Sequence, residues 1–381
     1  MVKYIYQYNN WPQFTWNEQE IQVMLGKVRH LQGKLLGQMS AFGFSLKEET
    51  MLTALTINVL KSSEIEGEIL NYEQVRSSIA RKLGMEYAGM VYSDRNVDGV
   101  VEMMLDATQN YNQPLIEERL FGWHAALFPT GWSGSHKIDV GCYRKEEMQI
   151  VSGAMGKEKV HYVAPPPDQV KVEMDKFIQW FNQEAPIDPV LKSAIAHFWF
   201  IIIHPFDDGN GRIARAISDL LLARSDGTSQ RYYSLSSQIM LERKVYYEIL
   251  QNTQFSSGDI TEWLTWYLDC LYRSLLSTED AFLKVLYRSD FWDMHNKIEF
   301  NARQRLMLNK LFDGFDGKLN SSKWAKIAKC STDTALRDIQ DLINKGILRK
   351  EIAGGRSTNY ELVFEQKSPV ELNPPGFCIE V

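Results

Sequence analysis

No two of the four cysteines, Cys142, Cys270, Cys330 and Cys378, stand at C-x-x-C spacing, so neither a zinc site nor a disulfide framework is expected. That usage fits a reducing, cytoplasmic setting. Long apolar runs are also missing. The strongest lies near Phe198 to Ile203, far short of the roughly 20 residues of a membrane-spanning helix, so no membrane association is expected. The opening residues, Met1 to Tyr8, mix aromatics with amides and lack the apolar core of a signal peptide. Positive charge is not in excess: a net charge of -6 at pH 7 argues against whole-surface attraction to nucleic acid. There is no G-x-x-x-x-G-K-[ST] sequence and no alternation of strands with helices, which counts against P-loop and Rossmann nucleotide sites. No internal repeat or low-complexity tract is present.

What remains is a 381-residue chain, 44% hydrophobic and 12% aromatic, with apolar mass for a sizeable core and length enough for a further small module. From about Trp16 to Gly84 apolar residues recur three and four apart, as in Leu52, Leu55, Ile57 and Leu60, which predicts helices. The same pattern continues over Val97 to Asn112 and Ile116 to Phe128. Between His136 and Val163, β-formers alternate around Gly141 and Ser152-Gly153 and end in Pro165-Pro166-Pro167, which predicts a hairpin and a stiff turn. Helices are expected again at Asp168 to Glu184, Pro189 to Ile203, Gly211 to Arg224, Gln238 to Gln254 and Ile260 to Leu283.

The last unit starts near Asn301. Three helices are expected, the second from Ser322 to Lys329 and the third from Thr332 to Lys345. A strand over Ile347 to Ile352, a turn at Ala353 to Arg356 and a strand over Asn359 to Val363 follow, together a winged helix-turn-helix pattern. Residues 301 to 364 hold 12 Lys+Arg and 7 Asp+Glu, a charge of +5 that leaves -11 on the rest of the chain. Arg337 on the third helix and Arg349, Lys350 and Arg356 near the wing make DNA a candidate partner.

The chemistry lies in His204-Pro205-Phe206-Asp207-Asp208-Gly209-Asn210-Gly211-Arg212-Ile213-Ala214-Arg215. Pro205 ends one helix, and Gly209, Asn210 and Gly211 permit a turn whose successive N–H groups point at one anion before a new helix begins. A helix N-terminus favours phosphate on its own account. Arg212 and Arg215, three apart, share a helix face and can bridge a chain of phosphates. Asp208 offers a hard oxygen for Mg²⁺ held partly by phosphate and water, and its adjacency to Asp207 excludes an EF-hand loop. His204 is the one group here with an ordinary pKa near neutrality, as a general base requires.

This stretch resembles, at every specified position, the signature H-P-F-x-[DE]-G-N-G-R-x-x-R of the Fic family. The resemblance covers roughly residues 90 to 270 and implies a helical Fic core with a small β-hairpin flap; with the winged segment read from its own pattern, the fold expected is mainly α. On that basis residues 1–90 form an N-terminal helical extension, 91–290 the catalytic core, 291–365 the winged-helix-like domain and 366–381 an irregular tail. It implies a protein adenylyltransferase that moves AMP from ATP to a Ser, Thr or Tyr hydroxyl and releases pyrophosphate. His204 would be the base, Phe206 a core anchor, Asp208 the Mg²⁺ ligand and Gly209 to Gly211 the phosphate cradle, with Arg212 and Arg215 on the β- and γ-phosphates. Gly141-Cys142-Tyr143-Arg144 through Gln149-Ile150 resembles the flap that aligns a target by strand addition. Tyr246-Tyr247 and Gln254 stand at positions like those flanking adenine in related proteins, and His197 reads as a packing residue.

Ser62-Ser63-Glu64-Ile65-Glu66-Gly67 resembles the family's inhibitory motif [ST]-x-x-x-E-[GN]. Ser62 and Glu66, four apart, share a helix face, and the resemblance implies that Glu66 pairs with Arg215 where the γ-phosphate should bind. Three alternatives stay open: a DNA-binding regulator with a sensory or inactive core, a de-AMPylating enzyme in which Glu66 orients water, and transfer of another nucleotidyl group. The protein target, the chain itself included, and the oligomeric state, a homodimer included, are open as well.

Overall fold

The computed structural model describes residues 3–40, 43–85, 90–152, 159–184, 186–312, 317–351 and 358–363. It divides into two compact units, Met1–Glu279 and Asp280–Val381. Helix predominates, with three two-stranded antiparallel sheets among the described residues.

The first unit opens with a short 3-10 turn and continues through α1 (Glu18–Ser40), α2 (Phe44–Ile65), α3 (Tyr72–Lys82), α4 (Arg95–Gln109) and α5 (Glu117–Leu127). Two hairpins follow, β1 (Trp132–Ser133) with β2 (His136–Lys137) and β3 (Gln149–Ser152) with β4 (Lys159–Val163). Then come α6 (Pro167–Asn182), α7 (Pro189–Ile203), α8 (Asn210–Asp226), α9 (Leu235–Leu241), α10 (Arg243–Thr253) and α11 (Thr261–Met294), the last running past Glu279. No helix among the described residues is long and apolar enough to cross a membrane.

Helix α7 is the axis of this unit. Pro189 starts it without losing a needed N–H, and the Asp188 carboxylate caps it by accepting from the Val190 N–H at 2.8 Å. From Val190 to Ile203 every residue but Ile201 is buried, so the helix packs on every side, with Lys192, Ser193 and His197 the polar residues among the buried set. Its far end is thereby fixed, and His204 stands on that end.

Two sequence expectations are modified. The hairpin expected between His136 and Val163 is confined to β3 and β4, and the segment from Ile138 to Met148 before it gives backbone hydrogen bonds to the His204 loop and to α5. Asp139 N–H donates to Asp207 (2.9 Å), Gly141 N–H to His124 Nδ1 (3.1 Å) and Arg144 N–H to the Pro205 carbonyl (2.9 Å). The continuous helix expected over Gln238 to Gln254 breaks at Glu242, whose carboxylate takes both arms of Arg273 at 2.7 Å.

In the second unit α12 (Ala302–Phe312), α13 (Ser321–Ile327) and α14 (Thr332–Asn344) precede the hairpin of β5 (Leu348–Lys350) and β6 (Tyr360–Leu362). Trp324, Leu308, Ile339, Leu342, Leu348 and Tyr360 form its core. Arg337 and Lys350 are exposed, and Arg349 is paired with Glu361 at 2.7 Å. The expected turn at Ala353 to Arg356 and the tail after Val363 lie outside the described residues.

Candidate active site

His204 caps α7 in the left-handed conformation, φ 50° and ψ 59°, its N–H still bonded to the Phe200 carbonyl at 3.0 Å. A residue with a side chain sits there at a cost of about 1 kcal/mol, which short polar side chains tolerate best. The turn lifts the imidazole off the helix. Nδ1 lies 3.3 Å from the Ile201 carbonyl, and with Nδ1–H as donor the lone pair is on Nε2. The ring is partly open to solvent, yet surrounding protein desolvates it enough to lower its pKa to about 4, with Arg144 adding to the effect and Glu66 and Asp208 opposing it. It is neutral at pH 7.

The loop after it is closed by its own residues. Phe206 is fully buried and stacks on His124 with ring centroids 4.3 Å apart. Asn210 clasps Phe206 twice, its amide oxygen accepting the Phe206 N–H (3.0 Å) and its amide nitrogen donating to the Phe206 carbonyl (2.7 Å). Gly209, at φ 82°, turns the chain into α8 with no side chain capping the helix. The N–H groups of the first turn of α8 thus lack intrahelical acceptors, as an anion site requires.

A carboxylate occupies that helix start. A Cβ added to Gly211 would meet Glu66 Oε1, so the Glu66 carboxylate in its present place lies directly against the glycine and would have to shift for any other residue. Glu66, the C-cap of α2, pairs with Arg215 at 2.8 Å and accepts from the Tyr247 hydroxyl at 3.4 Å. Arg215 is 1% exposed and also donates to the Ser62 hydroxyl (2.9 Å) and carbonyl (2.7 Å). Burial works against its charge, but Glu66 outweighs that and holds its pKa above the ordinary value. Ser62 and Glu66 therefore converge on one guanidinium, as their four-residue spacing predicts. Gly67, at φ 87°, carries the chain away from the contact.

Arg212, also buried, donates to Glu68 at 2.6 Å and lies over the Phe128 ring. Sequence reasoning missed Glu68; its only signal was a second carboxylate two residues beyond Glu66. Among the described residues Arg212 Nε and Arg215 Nη1 are buried without a hydrogen-bond acceptor, which fits phosphate oxygens as their partners.

Asp208 accepts from the Gly209 N–H (2.5 Å) and from the hydroxyl of Ser133, another residue sequence reasoning did not find. No cluster of three or more metal-ligating side chains occurs among the described residues. A lone carboxylate beside an anion-ready helix suits Mg²⁺ in particular, which keeps water and phosphate as its other ligands.

Of the three residues expected near adenine, Tyr247 joins the site through Glu66. Gln254 is buried, and its amide donates to the His161 carbonyl on β4 at 2.8 Å instead of to a loop residue. Tyr246 is in the core, its hydroxyl 2.8 Å from Nε2 of the buried His197, whose Nδ1 meets Ser218 Oγ at 2.9 Å.

The family model described as Fic/DOC family matches residues 114–222, and one described as a domain of unknown function (DUF4172) matches residues 4–85. The chain is 28% identical over 225 residues to protein adenylyltransferase Fic of Culex quinquefasciatus, covering 57% of this chain and 40% of that one. It is 22% identical over 266 residues to the protein of the same name from Nematostella vectensis, covering 69% and 56%. The matched segment is thus about half the length of these curated relatives. Among solved structures, a Fic family protein from Desulfovibrio desulfuricans G20 has the same fold, with TM-score 0.53 and 20% identity over 94% of this chain and 99% of that one. The chain carries a Fic domain, and the loop that starts at His204 lies within it.

Proposed function

We propose that the chain is a protein adenylyltransferase, held inactive by carboxylates of its own N-terminal region. The observation that carries this reading is the Glu66 carboxylate over Gly211 against Arg215: it occupies, from within the chain, a place suited to a phosphate.

In this mechanism the first-turn N–H groups of α8 and the two arginines hold the triphosphate. Asp208 would hold Mg²⁺, which when bound supplies charge neutralisation at the phosphate oxygens. His204 Nε2 takes the proton of a target Ser, Thr or Tyr hydroxyl as the hydroxyl oxygen attacks the α-phosphorus. The bond from α-phosphorus to the bridging oxygen breaks, pyrophosphate leaves, and AMP stays on the target through a phosphodiester. The neutral imidazole is the form this step requires. Exposed Ile150, Val151 and Val160 on β3 and β4 support backbone pairing with an extended target segment.

Because the neutral imidazole is the active form and its pKa is lowered to about 4, the acid limb of kcat/KM for ATP should fall well below the ordinary histidine value of about 6.5. A limb near 6.5 would show that the ring is not desolvated in the working enzyme. The brake has two contacts, and the second has its own signature. Glu68→Gln should lower KM for ATP by roughly 3- to 10-fold with a smaller change in kcat, since it frees Arg212 to bind phosphate without releasing Arg215. Initial rates across ATP concentrations check this; an unchanged KM removes Glu68 from the brake. A duplex-binding role for the second unit rests on exposed Arg337 and Lys350, and a steep salt dependence of duplex binding by the full chain is its test.

A further inference from the structure

Arg144 lies in the segment between β2 and β3, is 2% exposed, and makes no ion pair among the described residues. All four of its bonds go to main-chain carbonyls. Its N–H donates to Pro205 (2.9 Å), Nε to His204 (2.8 Å), Nη1 to Glu146 (2.9 Å) and Nη2 to Pro165 (2.5 Å). Burying a cation among neutral acceptors is costly. A neutral amide would staple two of these carbonyls at less cost, so the planar, five-donor fork needs a reason.

The backbone of His204 supplies it. In the left-handed turn its carbonyl leaves the axis of α7, and Pro205 brings no N–H of its own. Arg144 receives both carbonyls: the N–H of His204 is fixed by Phe200, its carbonyl by the guanidinium, and the next carbonyl by the Arg144 main chain. The other two arms reach the entrance and the exit of the β3–β4 hairpin, whose base is closed by Ala164 N–H donating to the Met148 carbonyl at 3.0 Å. One side chain thus joins the backbone that carries the imidazole to the hairpin beside it.

We propose that Arg144 is a positioning residue, which holds the His204 turn in its left-handed form and sets the imidazole in register with the hairpin that receives the target. This rests on His204 being the base and on the hairpin docking the target. It predicts that losing the fork harms the chemical step and spares nucleotide binding. The guanidinium also disfavours a second positive charge on the imidazole, against Glu66 and Asp208, which favour it.

The test compares Arg144→Gln and Arg144→Lys with their parent, all in the Glu66→Gly chain. Three readouts are used: AMP transfer from labelled ATP to proteins of a cell extract, binding of a fluorescent ATP analogue, and the pH midpoint of His204 carbethoxylation mapped by mass spectrometry. For Arg144→Gln the expected result is a kcat lower by roughly 10- to 100-fold, analogue binding within about twofold of the parent, and a His204 midpoint moved upward. Arg144→Lys, which keeps the charge without the fork, should restore the midpoint and leave most of the rate loss. A kcat for Arg144→Gln within about twofold of the parent would overturn the proposal, as would rate loss with an unmoved His204 midpoint or with lost analogue binding. If the parent itself transfers no AMP, the enzymatic reading fails, while the midpoint still decides whether Arg144 governs the His204 environment.

Discussion

Replacing Glu66 by glycine should raise AMP transfer by roughly 10- to 100-fold. The wild-type pair is short, 2.8 Å, and its arginine is almost fully buried, so it resists exchange with solvent more than a surface ion pair would. Glu66 also lies against Gly211, so in the proposed reading the same side chain covers the helix start and holds the cation proposed for the phosphates. A cation placed on a transferring phosphate group contributes on the order of 10²-fold or more to rate, which sets the scale of the gain. Without nucleotide the variant should lose about 1–2 kcal/mol of stability, because Arg215 keeps Ser62 but loses its counter-charge; the partial exposure of Glu66 keeps this below the cost for a fully buried pair. ATP should therefore raise Tm more in the variant than in the wild type. Equal labelling by the two proteins would remove the brake from the account.

The second large effect is a loss. His204→Ala, made in the Glu66→Gly chain, should lower transfer by about 10²- to 10⁴-fold while ATP still binds, since the phosphate donors all lie beyond it in sequence. The same substitution tests the ring's environment. A histidine whose folded pKa is about 4 binds fewer protons when folded than when unfolded between pH 4 and about 6.5. Its contribution is thus fully present above pH 6.5 and is lost as pH falls towards 4, by up to about 1.4 kcal/mol per pH unit. Removing the ring should make stability less acid-sensitive, though His124 and His197, lowered by burial to about 4 and about 3, retain part of the slope. Denaturant melts at pH 7 and pH 5 check it: an unchanged difference between the two pH values would mean His204 is well solvated.

The make-up of the candidate site was legible because it is written locally. His204 to Arg215 is one continuous stretch, and its glycines, arginines and carboxylates mark by type and spacing a turn of the kind proposed to hold phosphate. Glu66 was legible for a related reason, since a four-residue period puts it on one face with Ser62. Residues that act across long sequence gaps were not. Ser133 reaches Asp208, Glu68 reaches Arg212 and Arg144 reaches His204 through the fold, and nothing in their own neighbourhoods signals those partners. The left-handed His204 also escaped notice, because Pro205 marks where a helix stops without saying how the preceding residue turns. The extent of the hairpin has the same origin: only Gln149 to Val163 pairs as strands, while Asp139 and Arg144 give their N–H groups to the His204 loop and Gly141 gives its own to His124.

Which phosphorus atom moves decides the proposed reaction. The Glu66→Gly protein is incubated with Mg²⁺ and a cell extract, in parallel with ATP labelled at the α- and at the γ-phosphate. Attack at the α-phosphorus, with His204 taking the proton, predicts protein-bound label from the first nucleotide, none from the second, and loss of the signal when His204 is also replaced by alanine. Label arriving from the γ-phosphate, or α-label that persists without His204, would contradict it.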